Sequence, residues 1–300
     1  MGSNPNWNRP APREGYIPVD NAGLYYRVVG QGQPVIVLHG GPDFDHSYFL
    51  PDLDRLSDSY QLIYYDQRGR GKSADNVQPE DVTIQSEIDD LERLREYFGL
   101  DKVALLGHSW GGLLAMEYAI RHPDRVSHLI LVNTAPASRD DYLLFRQERR
   151  KRTPDNVEKL QAMSATTGYR EGDPDTVAAY YRIHFKGAIR QPEHLEQVVG
   201  TLRASFTKDG ILKAWEIEQR LMGETWLSSE YDLLPDLRQL NMPALIIHGE
   251  DDFIPVECAN HIVDAIPGAR FALLRECGHY SYIESPDEVR KEIADFFHGS

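Results

Sequence analysis

The sequence predicts a doubly wound, mostly parallel α/β sheet with a helical cap insertion. Three observations predict it. Short apolar runs recur along the chain, each leading into a loop of glycine and polar residues. Amphipathic helical patterns lie between these runs. From residue 135 to residue 240 the strand pattern stops and only helical pattern continues.

The first two β-rich runs, 16–19 and 24–29, are short and close together, which predicts an antiparallel hairpin at one sheet edge. Val35-Ile36-Val37-Leu38 then leads into His39-Gly40-Gly41-Pro42, and residues 61–65 lead into Asp66-Gln67-Arg68-Gly69. Val103-Ala104-Leu105-Leu106 leads into Gly107-His108-Ser109, and Leu129-Ile130-Leu131-Val132 into Asn133-Thr134. Ala244-Leu245-Ile246-Ile247 precedes His248-Gly249, and Phe271-Ala272-Leu273-Leu274 comes shortly before Gly278-His279. Runs this short and apolar on both faces fit central strands of a parallel sheet, which is covered on both sides.

Helical spacing joins them. Ile84, Ile88, Leu91, Leu94, Tyr97 and Phe98 recur at three- and four-residue intervals, residues 113–120 follow the Ser109 turn directly, and 288–297 form an amphipathic end. Strand–helix alternation of this kind requires right-handed crossovers. Within 135–240, helices are expected at 139–151, 156–165, 176–185, 192–205 and 211–222, punctuated by proline and glycine. The division expected is an α/β core of residues 1–134 and 241–300, with 135–240 as a cap over the sheet's C-terminal edge.

Composition narrows the function. The chain has 300 residues, 41% of them hydrophobic, as a packed globular protein requires. Its formal charge of −15 disfavours the phosphate backbone of nucleic acid and an anionic membrane surface. The charge is uneven: residues 135–240 hold 16 basic and 17 acidic side chains, the remainder 16 and 30. No run approaches the ~18 apolar residues of a membrane span. Residues 1–13 are rich in Asn and Pro without an apolar stretch, so they read as a lead-in rather than a signal peptide. Cys258 and Cys277 form no Cys-x-x-Cys and are expected as free thiols. A cytoplasmic enzyme acting on a small molecule or short peptide is the expectation, with neither nucleic acid nor membrane as partner. No metal spacing stands out. Gly30-Gln31-Gly32 lacks the third glycine of a dinucleotide fingerprint, and a phosphate-binding loop ending in Gly71-Lys72-Ser73 would need glycine where Asp66 stands, so no cofactor is expected.

The chemistry points to one nucleophile. Gly107-His108-Ser109-Trp110-Gly111 lies between an expected strand and an expected helix, the context a G-x-S-x-G motif requires. A sharp turn there needs small neighbours and presents the hydroxyl at a helix N-terminus, whose free N–H groups stabilise an oxyanion. The N–H of Gly41, in a glycine-rich loop after a strand, can join that of Trp110 in the oxyanion hole. A serine needs a base and the base an orienting acid. Among eleven histidines, His279 lies in a glycine-containing loop after the last strand. Asp252, with Asp251 as rival, lies in the loop after the strand at 244–247, and the order Ser109, Asp252, His279 is the one this motif predicts.

His39-Gly40-Gly41-Pro42, Asp66-Gln67-Arg68-Gly69-x-Gly71-x-Ser73, the Ser109 motif with Gly112, Gly249-x-x-Asp252 and Gly278-His279 together resemble the α/β-hydrolase superfamily over nearly the whole chain, and within it most closely the proline iminopeptidase branch of serine peptidases. Two positions depart from that branch: Asp43 follows His-Gly-Gly-Pro where glycine is usual, and His108 precedes the nucleophile, as in many esterases and lipases. The resemblance implies an acyl-enzyme mechanism that releases N-terminal residues, with the substrate's free amine seated on cap acids. Those of Trp215-Glu216-Ile217-Glu218 and Met222-Gly223-Glu224-Thr225-Trp226 are the candidates, Glu224 first and Glu216 next. A carboxylesterase is the alternative it leaves open, and a non-catalytic receptor on the same scaffold a more distant one.

Overall fold

A computed structural model describes residues 11–20 and 22–299. Most of the expected lead-in lies outside them, and Arg13 already belongs to a strand. Among the described residues, eight strands form one sheet: β1 (Arg13–Val19), β2 (Ala22–Val29), β3 (Gln33–Leu38), β4 (Tyr60–Tyr65), β5 (Val103–His108), β6 (Val126–Val132), β7 (Ala244–Gly249) and β8 (Arg270–Leu274). Their order is β1-β2-β4-β3-β5-β6-β7-β8. β1 and β2 pair antiparallel, as does β2 with β4, while every pairing from β4 onward is parallel. The eight runs read from the sequence are these eight strands.

The helices are α1 (Ile84–Tyr97), α2 (Trp110–Arg121), α3 (Arg139–Arg152), α4 (Pro154–Ser164), α5 (Thr167–Arg170), α6 (Pro174–Phe185), α7 (Pro192–Ser205), α8 (Lys208–Glu224), α9 (Leu234–Leu237), α10 (Val256–Ala265), α11 (Ser281–Glu284) and α12 (Pro286–Gly299). Side chains start several of them. Thr83 and Ser86 make a reciprocal capping box on α1, while Ser138, Asp173 and Thr207 each accept an N–H in the first turn of α3, α6 and α8. Single-turn α5, α9 and α11 have no period for a sequence to reveal. α10 went unanticipated although its buried residues Cys258, Ala259, Ile262 and Ala265 are helically spaced, because the polar Asn260, His261 and Asp264 among them mask a short stripe.

All helices from α3 to α9 lie between β6 and β7. The ends of this insertion are tied together: Ser138 and Asp232 form an antiparallel bridge, with Arg139 N–H donating to Tyr231 and Leu233 N–H to Ala137. Ile36, Leu105, Leu129 and Ile246 are buried in one core cluster and Val37, Leu106, Ile130 and Ile247 in the other, so alternate residues of each central strand fill opposite faces. Each such side chain contributes roughly 1.5–3 kcal/mol of apolar burial. The parallel run matters for function. It places the loops after β3, β5, β6, β7 and β8 at one edge, and those loops carry Gly41, Ser109, Asn133, Asp252 and His279.

The sequence of the loop after β4 suggests that Asp66 and Arg68 pair locally, and there the structure differs. Asp66 and Arg68 do not pair with each other. Arg68 forks onto Asp90 at 2.6 and 2.9 Å and reaches Asp20, and Asp66 accepts from His46. Arg70, fully buried, pairs with Glu87 at 2.6 Å.

Candidate active site

Ser109 sits between β5 and α2 with φ 53° and ψ −119°, a conformation costly for a residue with a Cβ. Its surroundings hold it there: its N–H donates to Val132 at 3.2 Å, and its carbonyl accepts from Gly112 at 2.9 Å and Ala135 at 3.0 Å. The flanking glycines are a steric requirement. A Cβ on Gly107 would lie 2.3 Å from the Gly111 carbonyl oxygen, and one on Gly111 would lie 2.1 Å from that of Leu38. Trp110 is buried, its ring edge-on to Trp226 at 5.6 Å. Its N–H, at the first position of α2, has no intrahelical carbonyl to bond.

His279 and Asp252 meet at the same edge. Both carboxylate oxygens of Asp252 lie 3.0 Å from His279 Nδ1, and both side chains are buried. Asp252 is further held by Asn133 Nδ2 at 2.8 Å and by the Ile254 N–H at 2.9 Å. Burial alone would raise its pKa; His279, His248 and the Ile254 N–H outweigh it and hold the carboxyl below the usual range. Asp251, the rival, is turned outward and paired with Arg190. Two contacts come from the insertion: the carbonyl of Ala188 accepts from the His279 N–H at 2.7 Å, and Arg152 donates to the Asp252 carbonyl at 3.0 Å.

Ser109, His279, Gly41 and Trp110 all line one cavity of about 430 Å³ beneath the insertion. Glu224 and Glu216, the acids expected to seat an amine, do not line it. Glu224 Oε2 accepts from the Ile84 N–H at 2.9 Å and so caps α1, while Glu216 is exposed on α8. The carboxylates that do line the cavity are Glu218 and Asp43. Burial, reinforced by the charge of Asp43, pushes Glu218 up to about 8. Asp43 is raised by burial to about 6 in spite of the hydrogen bond that Tyr181 donates to it. Glu218 belongs to the candidate stretch Trp215-Glu216-Ile217-Glu218, and its spacing sets it apart from Glu216. It lies four residues after Ala214 and three before Leu221, on the buried stripe of α8, where an acid is out of place; Glu216 does not.

Other residues were missed. Asn133, in the left-handed region at φ 46°, joins Asp252 to the Gly278 carbonyl and accepts from Ser281. Tyr48 bonds both Gly40 and His108. Arg149 lines the cavity beside His184. None of these sits in a local motif; each reaches the site through chain distant in sequence.

Asp45, His46 and Asp66 bring three ligand-type atoms within 4.8 Å of one another. Hydrogen bonds account for the cluster: Asp66 accepts from the His46 ring and N–H and from the Lys72 N–H, and Asp45 from the Ser47 N–H. Cys258 and Cys277 are free and buried. No helix among the described residues is long and apolar enough to cross a membrane.

Residues 33–286 match the family described as the alpha/beta hydrolase fold. A proline iminopeptidase of Clostridium botulinum is 30% identical, the alignment covering 92% of this chain and 94% of that protein. The crystal structure of VinJ superposes with a TM-score of 0.76 at 22% identity over 96% of this chain and 99% of the other. The proline iminopeptidase of Mycobacterium smegmatis gives 0.72 at 24% identity over 96% and 98%.

Proposed function

The chain belongs to the α/β hydrolase fold family, most like its proline iminopeptidase branch, and is a hydrolase; from that premise we propose that it is a serine aminopeptidase that releases an N-terminal proline or small residue from short peptides. In this reading residues 135–240 are the cap that selects the substrate, and the site of action is the cytoplasm.

The mechanism follows from the residues. Ser109 Oγ attacks the scissile carbonyl carbon and gives its proton to His279 Nε2. Asp252, bonded to Nδ1, fixes the imidazole tautomer and stabilises the imidazolium. The N–H groups of Gly41 and Trp110 receive the oxyanion, one such donor being worth on the order of 10²–10³ in rate. The C–N bond breaks as His279 hands its proton to the leaving nitrogen. Water then attacks the acyl-enzyme, gives a proton to His279, and frees the amino acid and Ser109. One water is consumed for each peptide bond cut.

The observation that carries the aminopeptidase reading is the presence of Glu218 and Asp43 in the same cavity as Ser109 and a buried His279–Asp252 pair. A carboxylate in a half-apolar cavity is costly unless a cation meets it, and the α-ammonium of an N-terminal residue is joined through one Cα to the carbonyl that Ser109 would attack.

The test is a panel of proline and alanine anilides against short p-nitrophenyl esters. Anilide turnover that Ser109→Ala abolishes, with a raised KM in Glu218→Gln, supports the reading; ester turnover without anilide turnover overturns it. A small-ester hydrolase is the second reading. It is favoured by Glu218, which near pH 7 is largely protonated and leaves its wall nearly neutral, and by the aromatic lining from Tyr142, Phe145 and Phe185.

A further inference from the structure

The basic face of α3 has no part in the mechanism above. Arg146, Arg149 and Arg150, three and four residues apart, line the same cavity as Ser109. Arg149 is the inner one. Its Nη2 bonds His184 Nδ1 at 3.0 Å, and its guanidinium lies over the Phe253 ring at 5.6 Å. Phe253 in turn meets the His279 ring edge-on at 4.6 Å. Burial lowers the pKa of Arg149; Nη2 also donates to the His184 carbonyl at 3.4 Å, and among the described residues no carboxylate forms an ion pair with it. A half-buried guanidinium without an acid is an incomplete anion site, since the cost of taking it from water is repaid only when a partner arrives. Arg146, bonded to the Tyr142 hydroxyl at 2.8 Å, adds charge on the same face.

The two kinds of charge come from different elements. Asp43 comes from the loop after β3 and Glu218 from α8, whereas the arginines come from α3 beside His279. Direction follows from the chemistry. His279 must protonate the leaving nitrogen, so the leaving group departs on the His279 side, and Arg149 lies over Phe253, which packs against that ring. We infer that Arg149, with Arg146, binds a free carboxylate on the leaving group, so that the preferred substrates are dipeptides, read at both ends. This rests on the aminopeptidase reading for the amine end but not for the carboxylate end. A bidentate guanidinium–carboxylate contact is a strong, directional one. It would discriminate an acid from its amide by roughly ten- to hundredfold.

The experiment compares kcat/KM for Pro-Ala and Ala-Ala with their C-terminal amides, and for 4-acetoxybenzoate with its methyl ester, each ester rate divided by its hydroxide-catalysed rate. The expected result is a wild-type preference for the acid of roughly ten- to hundredfold. In Arg149→Gln the acid-to-amide ratio should collapse toward one, and in Arg149→Lys part of it should survive. A wild-type ratio near one, which needs no variant to measure, overturns the proposal; so does a ratio that Arg149→Gln leaves intact. If no aminoacyl substrate turns over, the aminopeptidase reading and the dipeptide assignment fail together. The ester pair then judges the arginines alone: preference for the charged ester upholds the carboxylate site, and indifference removes it.

Discussion

His108 Nε2 donates to the backbone carbonyl of His279 at 2.9 Å, while its Nδ1 accepts from the Tyr48 hydroxyl at 2.8 Å. Tyr48 also accepts from the Gly40 N–H at 2.5 Å. A single imidazole therefore joins the loops after β3, β5 and β8. The tautomer follows from the partners, since a carbonyl can only accept. Burial, and after it the charge of His279, lowers the pKa of His108 to about 3, so the ring is neutral throughout the working range.

Replacing this ring disturbs geometry before it disturbs binding. His108→Ala leaves the Tyr48 hydroxyl proton without an acceptor and the His279 carbonyl without its donor in a buried site, at about 1–3 kcal/mol for each orphaned group. We expect a lower urea midpoint and a kcat that falls more than KM rises. An unchanged kcat would show that Ser109 and His279 hold their places without it.

The acid at His279 separates from its neighbour by chemistry. Asp252→Asn keeps the shape but removes the charge that stabilises an imidazolium, and kcat is expected to fall by on the order of 10³–10⁴ with little change in KM. Asp251→Asn removes only an exposed pair with Arg190, and the effect of such a surface change on stability is within about 0.5 kcal/mol. Steady-state kinetics on both variants decides the matter.

Much of this was legible in sequence because it is local. The eight strands show as apolar runs, and Ser109 is marked by glycines that backbone atoms of Gly111 and Leu38 crowd. His279 and Asp252 lie in short loops directly after strands, and chain order alone relates them. What was illegible depends on packing between distant segments. Glu224 and Glu218 are both acids on α8, and only the docking of α8 against the start of α1 makes the first a helix cap and leaves the second in the cavity. Asn133 and Tyr48 matter through partners on other loops, which no spacing rule connects.

Glu218 gives a pH signature. The free protein keeps its proton up to about 8, and a bound ammonium favours the ionised form. Binding of an aminoacyl ligand at pH 7 should therefore release a proton. Calorimetry of proline amide with the Ser109→Ala protein, in buffers of different ionisation enthalpy, reads that release, and it should vanish in Glu218→Gln. Stability has the complementary dependence. Between the ordinary 4.5 and about 8 the folded state binds a proton that the unfolded state has lost, so Glu218 removes stability as pH rises through that window. The slope of the denaturation midpoint against pH should flatten in Glu218→Gln.

Glu224 and Glu218 should fail in different ways. Glu224 accepts from the Ile84 N–H at the first position of α1, where a carboxylate satisfies an orphan donor and meets the positive end of the helix dipole. Losing such a cap costs roughly 0.5–2 kcal/mol, and no cavity contact is lost with it. Glu224→Ala should therefore lower the denaturation midpoint while KM for proline anilide stays near the wild-type value. Glu218→Gln should raise that KM with no comparable loss of stability near pH 7. If instead Glu224→Ala raised KM at unchanged stability, the amine would be seated from the end of α8 after all, and the cavity would need a different occupant against Glu218.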